Sequence, residues 1–258
     1  MNDELTDGRD DSRPSRRRPY SRKTSAPEAP GEFDFIERLR RRELSSAAAA
    51  DRERSPLTTQ RSSLVKGIGD DAAVWRQRAG LDSVVTADLL VEGVDFRLEH
   101  GWTKPRDLGH KALAVSLSDA AAMGARPRFC LLSIGVPEAL WRGSFLEEFY
   151  GGVRALARAH GVRIIGGDTS RTPERVVVDS IVIGEVRRGR ALLRSGARAG
   201  DQIFVTGALG GAAAGLKILE SRAPRDSTSK GLTRGERGLV RRLLRPTPRV
   251  EWGALLCE

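Results

Sequence analysis

The chain has 258 residues, 44 Lys+Arg against 34 Asp+Glu, and 39% hydrophobic content, enough apolar material for one large domain or two small ones and too much for a disordered or fibrous protein. No apolar stretch approaches the roughly 18 uninterrupted residues of a membrane span, and the N-terminus lacks a secretory apolar core, so a cytoplasmic protein is expected. Cys130 and Cys257 are the only cysteines; they exclude a disulfide framework or thiolate metal site and read as small hydrophobes.

Residues 1–30 mix charge, Ser and Pro with almost no apolar side chains and are expected to form a disordered tail. Phe33, Phe35, Ile36, Leu39 and Leu44 are spaced for one face of a helix, and Ser45–Ser63 reads as a helix end and polar loop. Beyond Leu64, β-rich runs alternate with helical ones. Strands are predicted at Ala72–Trp75, Ser83–Asp88, Phe129–Val136, Val162–Ile165, Val176–Val186 and Gln202–Thr206, each bounded by Gly, Asp or Pro. Helices are predicted at Arg106–Met123, Leu140–Ala159, Gly211–Glu220 and Arg234–Leu243. This alternation is an α/β or α+β arrangement. The net charge of +10 lies wholly beyond Ala120, with a cluster at Arg187, Arg188, Arg190, Arg194 and Arg198. At 5% aromatic content a single-strand nucleic-acid surface is not expected, and anionic phosphates suit the basic half better.

The aspartates carry the chemistry. Asp70 and Asp71 lie in Gly67-Ile68-Gly69-Asp70-Asp71-Ala72-Ala73, Asp88 ends Val84-Val85-Thr86-Ala87-Asp88, Asp119 sits in Ser116-Leu117-Ser118-Asp119-Ala120, and Asp168 follows Ile164-Ile165-Gly166-Gly167. All five stand among apolar or small residues, where an ionised carboxylate must be compensated. Taken singly, each also fits a turn or N-cap. Oxygen-only donors without His or Cys suit Mg²⁺, an ion commonly shared with nucleotide phosphates. Gly67, Gly69, Gly166 and Gly167 would let backbone N–H groups approach an anion. There is neither a GxxxxGK[ST] loop nor GxGxxG spacing, and Gly207–Gly211 reads as the opening of a helix. No GxSxG elbow accompanies His100, His110 and His160, so triad hydrolysis is disfavoured. His160, before Gly161, reads as a helix end.

Together with Gly31-Glu32-Phe33, Asp88-Leu89-Leu90-Val91-Glu92-Gly93-Val94, Lys111–Asp119, Gly166-Gly167-Asp168-Thr169-Ser170-Arg171, Arg194-Ser195-Gly196-Ala197, Gly200-Asp201 and Val205-Thr206-Gly207, these stretches resemble the thiamine-monophosphate kinase family. That family shares its superfamily with aminoimidazole ribonucleotide synthetase. The resemblance implies a two-domain α+β fold with a complete N-terminal domain at 31–195 and an incomplete C-terminal one at 196–258. It implies ATP-dependent phosphorylation of thiamine monophosphate to thiamine diphosphate, and a homodimer paired through the N-terminal sheet. Asp71, Asp88, Asp119 and Asp168 would be Mg²⁺ ligands, with Thr86 and the backbone of Ala87 beside them. Tyr150, Gly167, Asp168 and Arg194 would meet ATP, and Asp95 the substrate. The family usually carries a hydroxyl residue at Ala87 and commonly His at Asp95, and it continues into an SDGL-type motif beyond the point where this sequence ends. Two other readings stay open: a nucleotide-binding or dimerising remnant without turnover, and a same-fold kinase or synthetase with another acceptor.

Overall fold

The computed structural model describes residues 64–66, 72–76, 80–222 and 231–257, together with Glu37 and Arg41. The expected tail, the Ser45–Ser63 loop and the Gly67–Asp71 stretch lie outside the described residues. Of the expected first helix, Glu37 and Arg41 are helical and joined by an ion pair of 3.0 Å.

The strands are β1 (Leu64–Lys66), β2 (Ala73–Arg76), β3 (Leu81–Val91), β4 (Arg126–Pro137), β5 (Arg163–Thr172) and β6 (Val177–Arg187). They form one sheet in the order β1-β2-β3-β6-β4-β5, antiparallel except for the β4–β5 pair. Parallel neighbours need a crossover. It is supplied by α2 (Glu138–Trp141) and α3 (Phe145–Ala159), while α1 (Pro105–Ala122) joins β3 to β4.

Along β6, Val178, Ser180, Val182, Gly184 and Val186 are buried and the residues between them are half-buried, the alternation of a sheet covered on one face. Helix α1 lies on the covered face, burying Leu108, Leu113, Leu117 and Ala120 against Cys130, Leu132, Ile134 and Val136 of β4 in one core. Helices α1 and α3 cross where Gly109 meets the Phe149 carbonyl and Gly152 meets the Arg106 carbonyl. A Cβ at either position would overlap backbone, so the apolar side chains on both flanks interlock only because these two residues have none. A second, smaller cluster joins α4 (Gly211–Glu220) to α5 (Arg234–Leu244) through Leu219, Leu232 and Val240. Helix α5 starts at a capping box in which the Thr233 hydroxyl accepts the Glu236 amide and the Glu236 carboxylate accepts the Thr233 amide. The last helix, α6 (Val250–Leu256), turns back: Val250 and Cys257 belong to the first core, and Gly253 abuts the Ala121 carbonyl.

The mixed α+β architecture is the expected one, with four differences. The helix expected at 140–159 is two helices parted around Gly143, a residue costly inside a helix. The strand expected to stop at Ile165 runs to Thr172, because the β4 edge continues to pair with it after a bulge that lets Cys130 face Ile164 and Leu131 face Gly166. Gln202–Thr206 is not a strand. Ile203 is 95% and Phe204 83% exposed, and among the described residues no strand edge pairs with them. Finally, β1 and α6 had no place among the expected elements; both are short.

Candidate functional site

Period two on β3 turns Thr86 and Asp88 to the covered face, and period 3.6 on α1 turns Ser116 and Asp119 to meet them. The Thr86 hydroxyl donates to the Asp119 carboxylate at 2.7 Å, and the Ser116 hydroxyl lies 2.7 Å from the Asp88 carboxylate. Ser116 also sits 2.6 Å from the hydroxyl of Ser180 on β6, which in turn donates to the Ala112 carbonyl at 2.7 Å. Strand and helix therefore position two carboxylates through two hydroxyls, with Ser180 of the adjacent strand packed against Ser116.

Burial pushes the Asp88 carboxyl above its usual range; the Ser116 hydrogen bond opposes this, and the nearby Asp179 carboxylate adds to it. The site thus concentrates negative charge on oxygen donors in a half-buried setting. Such a pair fits Mg²⁺, which is commonly held by one or two carboxylates together with waters and substrate phosphates. Among the described residues no three His, Cys, Asp or Glu side chains gather into a metal-sized cluster.

The other expected site residues are spread around this pair. Asp71 lies outside the described residues. Ala87 is exposed on the open face of the sheet, opposite Ile181. Asp168 is on the edge strand β5, where its carboxylate accepts the Thr169 amide at 2.8 Å. It is three strand spacings from β3 in the sheet order, about 14 Å, so the structure does not bring it to Asp88 and Asp119. Gly167 has φ +142°, and a Cβ there would overlap the Leu132 carbonyl; the two adjacent strands approach this closely only with glycine at that position. Tyr150 packs edge-on against Phe149 with ring centroids 5.3 Å apart, beside the N-terminal half of α1 and far from Asp119. Arg194 is exposed in the irregular stretch after β6.

Asp95 is turned back on its own loop: its carboxylate accepts the Val91 amide at 2.8 Å, and its carbonyl accepts the Lys111 ammonium at 2.6 Å. Burial lowers the Lys111 pKa, and Asp95 opposes the shift. Asp95 and Lys111 line a cavity of about 100 Å³ walled by Trp102, Leu216, Leu219 and Leu243. Ser116, Ser180, Asp179 and Lys111 had no assigned role in the sequence reading. The one signal for Ser116 is its i,i+3 spacing from Asp119 on α1; Ser180 and Asp179 carry none, since only strand pairing brings them in.

Residues 69–186 match the model of AIR synthase related protein, N-terminal domain. The chain is 42% identical to thiamine-monophosphate kinase of Bacillus subtilis over 202 residues, covering 78% of this chain and 60% of that protein. It is 37% identical to the enzyme of that name from Escherichia coli over 227 residues, covering 88% and 62%. The chain is a relative of the thiamine-monophosphate kinases. The crystal structure of thiamine-monophosphate kinase from Stenotrophomonas maltophilia superposes with a TM-score of 0.62 at 42% identity, over 88% of this chain and 65% of that one. A structure described as AaThiL complexed with AMPPCP and TMP gives 0.70 at 31% identity, over 88% and 63%. The chain thus spans about three fifths of the length of these kinases. Thr86, Asp88, Asp119 and Asp168 all fall inside the stretch shared with the domain model, and Arg194 falls outside it.

Proposed function

We propose that this chain is the nucleotide- and Mg²⁺-binding part of a cytoplasmic thiamine-monophosphate kinase, which moves the γ-phosphoryl group of ATP to the phosphate of thiamine monophosphate and yields thiamine diphosphate. The observation that carries this reading is the Asp88–Asp119 pair, held across β3 and α1 by Ser116 and Thr86. An acceptor that is already an anionic oxygen needs no general base, so the work reduces to positioning and charge neutralisation.

Asp88 and Asp119, with Thr86, the Ala87 carbonyl and Asp71, would hold one Mg²⁺ and Asp168, on the edge strand, a separate one; when bound these ions neutralise phosphate charge and orient the transferring group. Arg194 would pair with ATP phosphates through its planar fork. Gly167 and Tyr150 would lie along the nucleotide, and Asp95 would meet the acceptor at the cavity it lines with Lys111. We place the domain division near residue 195, with α6 returning to the first unit. The homodimer would form through the open face of the sheet, where Leu89 is exposed and Val85, Leu131, Ile181 and Ile183 are only half-buried.

Incubating the chain with ATP, Mg²⁺ and thiamine monophosphate, with thiamine diphosphate and ADP read by chromatography, tests the reading. Product should form, and Asp88→Asn should reduce its rate about 100-fold or more, the loss expected when one electrostatic stabiliser is removed. The exposed run Ile203, Phe204 and Val205 favours a second reading, binding without turnover. Saturable, Mg²⁺-dependent ATP binding with no thiamine diphosphate would select it, and absence of both binding and turnover would sink both.

A further inference from the structure

Three side-chain hydrogen bonds among the described residues link β3, and the turn after it, to α1 in step. The Thr86 hydroxyl donates to the Asp119 carboxylate at 2.7 Å, the Ser116 hydroxyl to the Asp88 carboxylate at 2.7 Å, and the Lys111 ammonium to the Asp95 carbonyl at 2.6 Å. Thr86, Asp88 and Asp95 ascend the chain as Asp119, Ser116 and Lys111 descend it, so the bonds are successive rungs between one strand and one helix. The first two hold the aspartate pair. The third holds a main-chain carbonyl, farther up the helix: Lys111 is about 7.5 Å along the axis from Ser116 and about 12 Å from Asp119.

That third rung ends on a turn whose shape comes from its own backbone. The Val94 and Asp95 amides donate to the Val91 carbonyl at 3.1 and 2.9 Å, the Gly93 amide donates to the Phe96 carbonyl at 2.7 Å, and the Asp95 carboxylate accepts the Val91 amide at 2.8 Å. Its flanks are fixed as well. The Glu92 amide donates to the Val176 carbonyl at 3.0 Å, the Glu92 carboxylate accepts the Val176 amide at 2.9 Å, and Phe96 is buried in the main core. The turn therefore keeps its shape without Lys111, and a half-buried ammonium is a costly donor to spend on shape alone. What the charge-assisted bond adds is the register of the turn against α1, the helix that also carries Ser116 and Asp119. Asp95 and Lys111 both line the cavity walled by Trp102, Leu216, Leu219 and Leu243, so a shift of the turn along α1 moves Asp95 within that cavity.

We infer that Lys111 is a positioning residue: acting through the Asp95 carbonyl, it sets Asp95 and the cavity beside it at a fixed distance from Asp88 and Asp119. The inference rests on the reading of Asp95 as the acceptor's contact, and it adds that this contact and the aspartate pair are held in one register by the same helix. The acceptor, and not the nucleotide, is then the substrate that senses Lys111.

Steady-state kinetics on the full chain tests this, with Mg²⁺ saturating and ATP and thiamine monophosphate varied in turn. Lys111→Met keeps the apolar stem and loses the donor. It should raise the KM for thiamine monophosphate about fivefold or more and leave the KM for ATP within about twofold. Lys111→Arg, which keeps a charged donor, should recover part of the loss. In an Asp95→Ala background Lys111→Met should add less than about twofold, since both changes act through one contact. The proposal is overturned by an unchanged KM for thiamine monophosphate, by equal rises for both substrates, by Lys111→Arg no better than Lys111→Met, or by fully additive effects of Lys111→Met and Asp95→Ala. Circular dichroism checks the fold of each variant. If the wild-type chain forms no thiamine diphosphate, the turnover reading falls on that result alone, and calorimetry with Mg²⁺ and a non-hydrolysable ATP analogue decides the role of Lys111. Weaker binding of thiamine monophosphate in Lys111→Met then sustains it, whereas binding that is equal in the two chains, or absent from the wild type, overturns it.

Discussion

Ser116 has one hydroxyl proton and two oxygen neighbours closer than 2.8 Å, the Asp88 carboxylate and the Ser180 hydroxyl. Donation to the carboxylate is the charge-assisted choice, and Ser180 is then the hydroxyl that satisfies the Ala112 carbonyl. Ser116→Ala removes the donor and leaves Asp88 facing burial and Asp179 without relief. We expect a loss of about 1–3 kcal/mol in urea unfolding and Mg²⁺ affinity lower by about 10–100-fold; unchanged Mg²⁺ affinity would rule out a positioning role. For Asp88 itself the signs separate two roles. Its folded pKa lies above the ordinary 3.8, so the folded state disfavours the charged form, a penalty absent below the unfolded pKa and fully present once pH exceeds the folded one. Asp88→Asn should therefore raise the melting temperature of the metal-free chain at neutral pH while removing the stabilisation that Mg²⁺ confers. A lower melting temperature in chelator would contradict this.

At the scale of elements, the crossing of α1 and α3 is the tightest test of the fold. Gly109→Ala places a methyl group against the Phe149 carbonyl and should destabilise by about 1–3 kcal/mol. Gly143→Ala, where an added Cβ meets nothing within 4 Å, should change unfolding by less than about 0.5 kcal/mol. Equal effects in denaturant melts would refute the packing. Most of the elements were legible in the sequence because helices α3 and α5 are amphipathic and the inner strand β6 alternates along its length. Glycine was harder to interpret: Gly166 and Gly167 read as a strand boundary and as room for an anion beside the backbone, whereas the structure uses Gly167 inside β5 for close approach to the neighbouring strand. Gln202–Thr206 has the composition of a strand, but composition does not supply a partner edge. The acidic half of the site could be recognised as Asp among apolar neighbours. The Thr86–Asp119 and Ser116–Asp88 links, 33 and 28 residues apart in sequence, depend on how β3 and α1 pack, which no local pattern encodes.

On the scale of the whole molecule, His110 ties α1 to the segment that leads into α6. Its Nε2–H donates to the Pro246 carbonyl at 2.8 Å. Burial, with Arg245 and Arg241 adding to it, lowers its pKa from 6.5, against the opposing effects of the Pro246 bond and Asp107. Burial lowers His160 in the same sense. A depressed folded pKa means stability is present above 6.5 and is lost as pH falls through the folded value. The urea midpoint should thus drop on going from about pH 7 to about pH 5, and His110→Gln should shrink that drop without abolishing it; an unaltered pH slope in the variant would exclude His110 as a source. The open face of the sheet leads to a prediction of its own. Analytical ultracentrifugation should show a dimer, converted to monomer by Leu89→Arg/Ile181→Arg, and a wild-type monomer at micromolar concentration would dismiss that interface.

The strand order also has a consequence for how the chain is made. β5 joins β4 after a helical crossover of a few tens of residues, but β3 has β6 as its inner neighbour, and Leu81 meets Arg187 only after a loop of about 100 residues closes. The middle of the sheet is thus the last strand to be synthesised. Until Arg187 has left the ribosome, the facing edges of β3 and β4 stand open, for several seconds at ordinary rates of synthesis. Ser116, whose hydroxyl donates to Asp88, lies within 2.6 Å of Ser180 on that same late strand, so the surroundings of the aspartate pair are completed only when the sheet is.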